Sequence, residues 1–302
     1  MGFFATFWAW LNQQLVTYVG DNTARVAAAI EPAVVTGGAI YVMIWGYLQL
    51  TGRIEEPLIA GLRRILTLAL VLGVALRLWL YNSLIVDTFY TAPVQLAAVI
   101  VGAAEPVQTL DSIWEHGGAV ADELWNKGGL LMGEPGYYLA GLSVWLLVGL
   151  LCVYTLFLMA LSHVALAILL ALGPLFIVLL LFPGTRRLFD AWIAQLVNYA
   201  LITILTVLTA GLLLQIVQSY ATQTAARGAG LQTVDALNMI LVAVLVFLFM
   251  RQVIPVAAGL ASGAALGSLD SLDRAVNRGL RAGTALAHEG MRTAAVLLRP
   301  ED

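Results

Sequence analysis

The sequence predicts an all-α, polytopic helical membrane protein. Of its 302 residues, 61% are hydrophobic and only 11% are charged, and the mean hydropathy is +0.91. A soluble domain of this length needs far more charged side chains to cover its surface. The apolar residues also gather into runs of about 20, which is the length that a helix needs to cross a bilayer.

These runs predict about five crossings, a further apolar helix and additional amphipathic helices. The first run contains Gly37, Gly38 and Gly46, small residues that permit close contact between helices. Four runs have the length of one crossing and a fifth is longer: 33–50, 65–86, 192–217, 234–250 and 137–182.

The run 137–182 is too long for one crossing. As a single straight helix it would reach about 69 Å, which is about twice the thickness of the hydrocarbon core. Two full crossings would place Arg186 and Arg187 outside the cell, whereas arginines favour the cytoplasmic side. His163 lies at the midpoint of the run with Ser162, and this pair is a plausible break. We therefore predict one crossing and then a second apolar helix that does not fully cross, bent at Gly173-Pro174. Six simple crossings are the alternative that the sequence leaves open.

Arginines at the ends of the apolar runs predict the orientation of the chain. Arg63 and Arg64 place the turn after the first run in the cytoplasm, and Arg186 and Arg187 place the turn before Trp192 there too. Trp192 is expected at this membrane boundary. The N-terminus is then external and the C-terminus cytoplasmic. The basic tail fits this orientation and offers arginines on one helix face as docking candidates: Arg274, Arg278 and Arg281.

The N-terminal helix is predicted to be amphipathic and rich in aromatic residues. Phe4, Trp8, Leu11, Leu15 and Tyr18 recur at three- and four-residue spacing, which places them on one face. Such a face suits packing at the membrane interface or docking to another protein. Phe4 and Trp8 are the docking candidates, and both alternatives stay open.

A hydrophilic segment separates the two apolar halves. It is acidic, with Lys127 as its single lysine, and it contains Trp114 and Trp125. An external acidic helix with two tryptophans suits a docking surface, and a lid lying on the lipid headgroups is the alternative. The chain thus divides into an amphipathic N-terminal helix, a first membrane half, an acidic external segment, a second membrane half and an Ala/Gly-rich basic tail, over residues 1–32, 33–86, 87–136, 137–257 and 258–302.

One stretch of the second half is distinctive. It contains Leu172-Gly173-Pro174, a Phe-Pro pair at 182–183, Thr185-Arg186-Arg187, Trp192 and the run Gln195-Leu196-Val197-Asn198-Tyr199. With the layout of the whole chain, this stretch resembles the polytopic inner-membrane subunit of type IV secretion and conjugation systems, the TrbL-like family.

The resemblance implies a role in a machine and implies no catalytic mechanism. Members of the family sit in the bacterial inner membrane, contact the secreted substrate and support assembly of the pilus. For this chain the resemblance implies contacts with pilin, the minor pilus-tip protein, the energising ATPases and the inner-membrane scaffold, and transient contact with translocated DNA or protein. It also implies a homo-oligomeric ring, with five subunits as the candidate number.

Arg77 is the sharpest single candidate, because it interrupts the predicted crossing 65–86. One interpretation is an anchor whose side chain reaches the external headgroups. The other is a contact to a lipid headgroup or to the polar end of a pilin. The resemblance makes Trp114 and Trp125 candidates for the same contact.

The helix after Trp192 carries amides. Gln195 and Asn198 are three residues apart and share a face, and Gln215 follows further along. Amides inside a crossing helix bond to a neighbouring helix, or they line a seam between subunits or a wet lumen. Both interpretations stay open.

The sequence contains no motif typical of an enzyme, and no cofactor or metal site is expected. It has no glycine-rich phosphate loop and no paired Cys or His at metal spacing. A stand-alone transporter or channel is the alternative function. Such proteins show internal repeats with matched broken helices, and no convincing repeat is present here.

Overall fold

The computed structural model describes residues 2–52, 58–101, 106–127, 135–181, 184–227 and 232–261. These residues are almost entirely helical and include no strand, so the predicted all-α class is confirmed. The helices in chain order are α1 Phe3–Leu50, α2 Leu58–Leu76, α3 Leu78–Tyr81, a π-helix Asn82–Thr91, α4 Ala92–Val101, α5 Pro106–Lys127, α6 Pro135–Ala171, α7 Gly173–Leu179, α8 Arg186–Ala225 and α9 Thr233–Arg251, followed by a helical segment at 253–261.

Five helical stretches among the described residues are long and apolar enough to cross a membrane. This number confirms the prediction of about five crossings. The stretches are Phe3–Leu50, Leu78–Ile100, Pro135–Ala171, Arg186–Val217 and Val234–Ala261.

The first half of the chain distributes its helices differently from the prediction. α1 is continuous from Phe3 to Leu50 and does not end near residue 32. The predicted crossing 65–86 is not one helix, because Arg77 adopts an extended backbone (φ −91°, ψ 100°) and α2 ends before it. The stretch long enough to cross starts at Leu78 and continues past Asp87, which is the single charged residue of that stretch. The division into five regions remains a prediction.

In the second half, the long apolar run divides into two helices, but later in the chain than the sequence predicts. α6 has 37 residues and α7 only 7. At about 1.5 Å per residue, α6 is about 55 Å long and can cross, whereas α7 reaches only about 10 Å. The two helices meet at Leu172, next to Gly173-Pro174. One crossing followed by a further apolar helix is therefore confirmed. The predicted break at Ser162-His163 is wrong, because both side chains bond to the Met159 carbonyl of their own helix and α6 continues to Ala171.

α6 is the central helix of the bundle and contacts α1, α5, α8 and α9. Its first half packs against α5, since Trp114 and Trp125 lie over Gly149 and Gly141. Its last turn meets the middle of α1, where Thr23 contacts Leu170. The end of α6 that carries α5 is thus opposite the end that carries α7.

Glycines let α5 approach α6 closely. A Cβ on Gly149 would lie 2.9 Å from the Trp114 ring, and a Cβ on Gly141 would lie 2.7 Å from the Trp125 ring and 2.9 Å from the Ala121 carbonyl. Larger residues would push the two helices apart. These glycines therefore serve packing within one chain.

A carboxylate from α5 caps the N-terminus of α1. The two carboxylate oxygens of Asp111 accept hydrogen bonds from the backbone N–H groups of Phe4 (2.9 Å) and Ala5 (3.0 Å). The first N–H groups of a helix lack partners in the helix itself, and the positive end of the helix dipole favours an anion there. Gly2 leaves room for this contact, since a Cβ on it would lie 2.0 Å from Asp111 Cγ.

The Asp111→Ala variant should therefore lose about 1–2 kcal/mol of stability, the usual contribution of an N-terminal cap. Asp111→Asn should lose less, because the amide oxygen still accepts a hydrogen bond. Asp122→Ala, on the exposed face of the same helix, is the matched control. The measurement is the unfolding midpoint in mild detergent. Equal midpoints for Asp111→Ala and Asp122→Ala would contradict the capping role.

Candidate functional site

The junction between α6 and α7 is a point where backbone groups lose their helical partners. Proline has no N–H, so Pro174 cannot donate to the carbonyl of Leu170, four residues earlier. The chain turns instead at Leu172, whose carbonyl accepts from Leu175 N (3.1 Å) and Phe176 N (3.4 Å). A buried carbonyl without a partner is costly. The Leu170 carbonyl therefore needs a donor from another helix, and in the structure the Leu169 carbonyl beside it receives one as well.

Three side chains from three helices supply those donors. The Tyr81 hydroxyl donates to the Leu170 carbonyl at 2.6 Å, and the Thr23 hydroxyl donates to it at 3.4 Å. Trp192 Nε1 donates to the Leu169 carbonyl at 2.9 Å. We name the three donors and the Gly-Pro pair the Leu170 joint, which consists of Thr23, Tyr81, Gly173, Pro174 and Trp192. It ties α1, α3 and α8 to the end of α6.

Gly173 is required at this joint by space. A Cβ there would lie 1.9 Å from the Tyr81 hydroxyl oxygen and 2.6 Å from its ring. No side chain fits without moving Tyr81 away from the Leu170 carbonyl. The Gly-Pro pair therefore does two separate tasks: proline frees the carbonyl, and glycine admits its new donor.

Trp192 lies inside the protein and is only 2% exposed. Its ring stacks on Phe176 at 5.7 Å with an interplanar angle of 7°, and Phe189 lies 5.7 Å away on another side. The sequence predicts this ring at the membrane boundary. In the structure it is buried against other helices and does not face the headgroups. It joins α8 to α7 and α6.

A second polar cluster lies nearer the middle of α6, around the buried His163. The Nδ1 of His163 is 2.9 Å from the Met159 carbonyl, and the rings of Trp8 and Tyr90 meet the imidazole edge-on at 4.8 Å and 5.2 Å. Tyr90 in turn donates to Asn12 Oδ1 at 2.8 Å. The histidine is thus enclosed by α1 and the π-helix.

Two hydroxyls complete this cluster on the side of α8. Thr203 Oγ1 lies 2.9 Å from Ser162 Oγ, and the Ser162 hydroxyl donates to the Met159 carbonyl at 2.9 Å. Polar side chains that bond to each other or to backbone carbonyls are the usual way to hold crossing helices together. In the described residues, no group of three or more His, Cys, Asp and Glu is placed to hold a metal ion.

The sequence model described as "TrbL/VirB6 plasmid conjugal transfer protein" matches residues 38–253. The chain belongs to the TrbL/VirB6 family. Most of the Leu170 joint lies inside the matched region, and only Thr23 precedes it.

Two similar proteins are both named type IV secretion system protein VirB6. The type IV secretion system protein VirB6 of Bartonella quintana (strain Toulouse) is 23% identical over 222 residues, which cover 71% of this chain and 67% of that protein. The type IV secretion system protein VirB6 of Brucella abortus biovar 1 (strain 9-941) is 28% identical over 202 residues, which cover 62% of this chain and 57% of that protein.

The aromatic docking candidates of this TrbL/VirB6 protein point into its own bundle. Phe4 is 4% exposed and meets the Trp114 ring at 6.4 Å, while Trp8 lies on His163. Trp114 also contacts Trp145 at 5.1 Å, and Trp125 stacks on Tyr138 at 6.0 Å. The exposed aromatic residues of the N-terminal turns are a different set: Phe3, Phe7 and Trp10.

The amide candidates on α8 do not form one group. Gln195 is exposed, whereas Asn198 is half-buried and its buried Oδ1 accepts no hydrogen bond from the described residues. Gln215 lines an open groove of about 520 Å³ with Ser219, Thr222 and Gln223. Gln195 and Asn198 therefore differ in exposure, although their three-residue spacing places them on one face of the helix.

The basic candidates divide between the described residues and the rest of the chain. Arg186 and Arg187 are exposed in the first turn of α8, and Arg77 is exposed at the break before α3. The backbone of Arg63 and Arg64 lies in α2, but their side chains lie outside the described part. The same holds for the whole of the tail group: Arg274, Arg278 and Arg281.

Sequence reasoning missed Thr23 and Tyr81 as contributors to the Leu170 joint, and it missed Asp111 as the cap of α1. Pro174 signals that the Leu170 carbonyl lacks its helical donor, so the need for a partner was readable. The identity of that partner was not, because Tyr81 and Thr23 lie 89 and 147 residues away.

Replacing Trp192 by phenylalanine should destabilise the protein by about 1–3 kcal/mol. The smaller ring keeps the stack on Phe176 but leaves the buried Leu169 carbonyl without a donor. Trp79→Phe is the matched control, since Trp79 is 72% exposed and should be nearly neutral. Unfolding midpoints in detergent provide the comparison, and a Trp192→Phe midpoint equal to that of Trp79→Phe would argue against the joint.

Proposed function

We propose that this protein is an inner-membrane platform and conduit subunit of a type IV secretion system, which supports pilus assembly and transfer of DNA or protein. The observation that carries the proposal is the family match over residues 38–253. The relatives named VirB6 and the five helices long enough to cross a membrane support it.

The role is structural rather than catalytic in this proposal. The side chains that the fold assembles at the Leu170 joint and around His163 hold helices together, and the energy for transfer comes from partner ATPases. The partners are pilin, the minor pilus-tip protein, the ATPases and the inner-membrane scaffold. The protein itself forms a ring of identical subunits, for which five is the candidate number.

Two surfaces are proposed for these contacts. The exposed face of α5 and the outward aromatic rings Phe3, Phe7 and Trp10 lie at the external end in the orientation that the arginines favour. The arginines of the tail would meet the ATPases on the cytoplasmic side. Gln195 and Gln215, both exposed on α8, are candidates for seams between subunits.

Deleting the gene tests this function. Transfer of a mobilisable plasmid or of a reporter-fused effector should fall to the background of a strain that lacks the secretion genes, and a plasmid copy should restore it. Purification of the tagged protein after mild detergent extraction should bring down other secretion subunits. Normal transfer by the deletion strain would refute the proposal.

Arg77 gives a sharper test within this function. We propose that its exposed guanidinium binds a headgroup phosphate or a carboxylate of pilin through two parallel hydrogen bonds. Lysine keeps the charge but cannot reproduce the planar fork. Arg77→Lys should therefore lower transfer while the protein inserts at normal abundance.

The two interpretations of Arg77 separate cleanly in this experiment. A simple anchor tolerates lysine, because lysine also reaches the headgroups. Arg187→Lys, at an exposed arginine of the α7–α8 turn, controls for a general effect of lysine at the boundary. Transfer at wild-type efficiency by Arg77→Lys at matched abundance would leave the anchor as the better account.

A further inference from the structure

Two adjacent helices present polar side chains on their outer sides. On α1 these residues precede the apolar run 33–50, and on the π-helix they lie within the stretch Leu78–Ile100, which is long enough to cross a membrane. On α1 the exposed polar residues recur at intervals of three and four, and on the π-helix they recur mainly at intervals of five. We name them the hydrophilic face, and it consists of Gln13, Gln14, Thr17, Asp21 and Arg25 on α1 with Asn82, Ser83, Asp87, Thr88 and Thr91 on the π-helix.

The hydrophilic face belongs to one side of the bundle. Trp8 on α1 and Tyr90 on the π-helix both press their rings against His163, and Tyr90 bonds to Asn12. The inner sides of the two helices therefore meet the same part of α6. Their exposed sides point away from α6, next to each other.

The winding of the π-helix explains how its polar residues come to share a side. A π-helix bonds each residue to the fifth one along the chain, so residues four and five apart lie on the same side of the helix. Asn82 then aligns with Asp87, and Ser83 aligns with Thr88. With the tighter period of an α-helix these pairs would diverge by more than a quarter of a turn. The unusual winding thus gathers polar groups on the outer side and leaves Tyr90 buried.

Lipid is a poor neighbour for this face. Carboxylates and amides in hydrocarbon lose their hydration and need partners. Asp21, Arg25 and Asp87 make no hydrogen bond or ion pair with the described part of the chain. At the same level of the bundle, α6 exposes Phe157 and Ile168 on its own outer side, which is the composition that lipid requires. The polar outer side of α1 and the π-helix and the apolar outer side of α6 therefore lie at the same level of the bundle.

We infer that the hydrophilic face borders water within the depth of the membrane, as one wall of an aqueous path. This inference uses only the membrane class of the chain and does not depend on the secretion role. The wall carries two carboxylates, Asp21 and Asp87, against one guanidinium, Arg25. It is therefore suited to hydrated polar or cationic groups more than to anions.

Cysteine accessibility in native membranes tests the inference. The parent chain has one cysteine, Cys152, which is buried, so the parent protein serves as the blank. Thr17→Cys, Ser83→Cys and Thr88→Cys should react with membrane-impermeant thiol reagents applied to intact cells or to inverted vesicles. The cationic reagent should react faster than the anionic one beside Asp87. Phe157→Cys and Ile168→Cys are the controls at matched depth and should not react.

Three outcomes decide the matter. Reaction at the hydrophilic face without reaction at the controls supports a water-filled path. A face that reacts only with a lipid-permeant maleimide is covered by lipid or by another protein, and this result overturns the inference. Equal reaction at Phe157→Cys and Ile168→Cys would place this whole level outside the bilayer and would also overturn it. The transfer assay is scored separately, so either proposal can fail while the other stands.

Discussion

The missing N–H group of Pro174 determines how helices pack at the end of α6 that meets α7. Because Pro174 cannot donate to the Leu170 carbonyl, that oxygen must find a donor elsewhere, and the Tyr81 hydroxyl supplies it at 2.6 Å. The neighbouring carbonyl of Leu169 is met by Trp192. A break in one helix is thereby converted into fixed contacts with three others. The position of α7, and the place where α8 enters the bundle, follow from those contacts.

The end of α6 that carries α5 depends on close packing between helices rather than on a break in a helix. Gly141 and Gly149 bring α5 against α6, and the tryptophans of α5 fill the space that the missing side chains leave. α5 is amphipathic, so its buried side is as apolar as the core while Glu115 and Asp122 remain exposed. A segment that is too polar to cross a membrane can thus still be an integral part of the bundle.

The sequence predicted what depends on composition and on local chemistry. Hydropathy sums over a window, so the class and the number of crossings could be read, and Gly173-Pro174 located the bend because proline acts on its own helix. Contacts between distant segments could not be read in the same way. Periodicity identified a face with Phe4 and Trp8 but not what that face touches, and the charged Asp87 suggested a boundary inside a continuous crossing.

Trp192 and Arg77 show the same limit of prediction from sequence. A tryptophan about one and a half turns after an arginine pair is typical of a membrane boundary, yet the indole N–H of Trp192 donates to the Leu169 carbonyl and the ring is buried. Arg77 was expected within one crossing helix, yet the helix breaks at that residue and winds again as a π-helix. Neither outcome follows from residue type, because each depends on a neighbour that the chain supplies from another helix.

The carboxylate that caps α1 has a consequence for how the chain is made. The N-terminus emerges first, but the group that satisfies Phe4 N and Ala5 N belongs to residue 111, separated from them by more than a hundred residues. During synthesis α1 is therefore made before the carboxylate that caps it, and its leading end lacks this cap until α2, α3, the π-helix and α4 have been made and α5 has followed. Docking of α5 is then the event that closes the N-terminal half, and any factor that holds the nascent first helix has to release it at that moment.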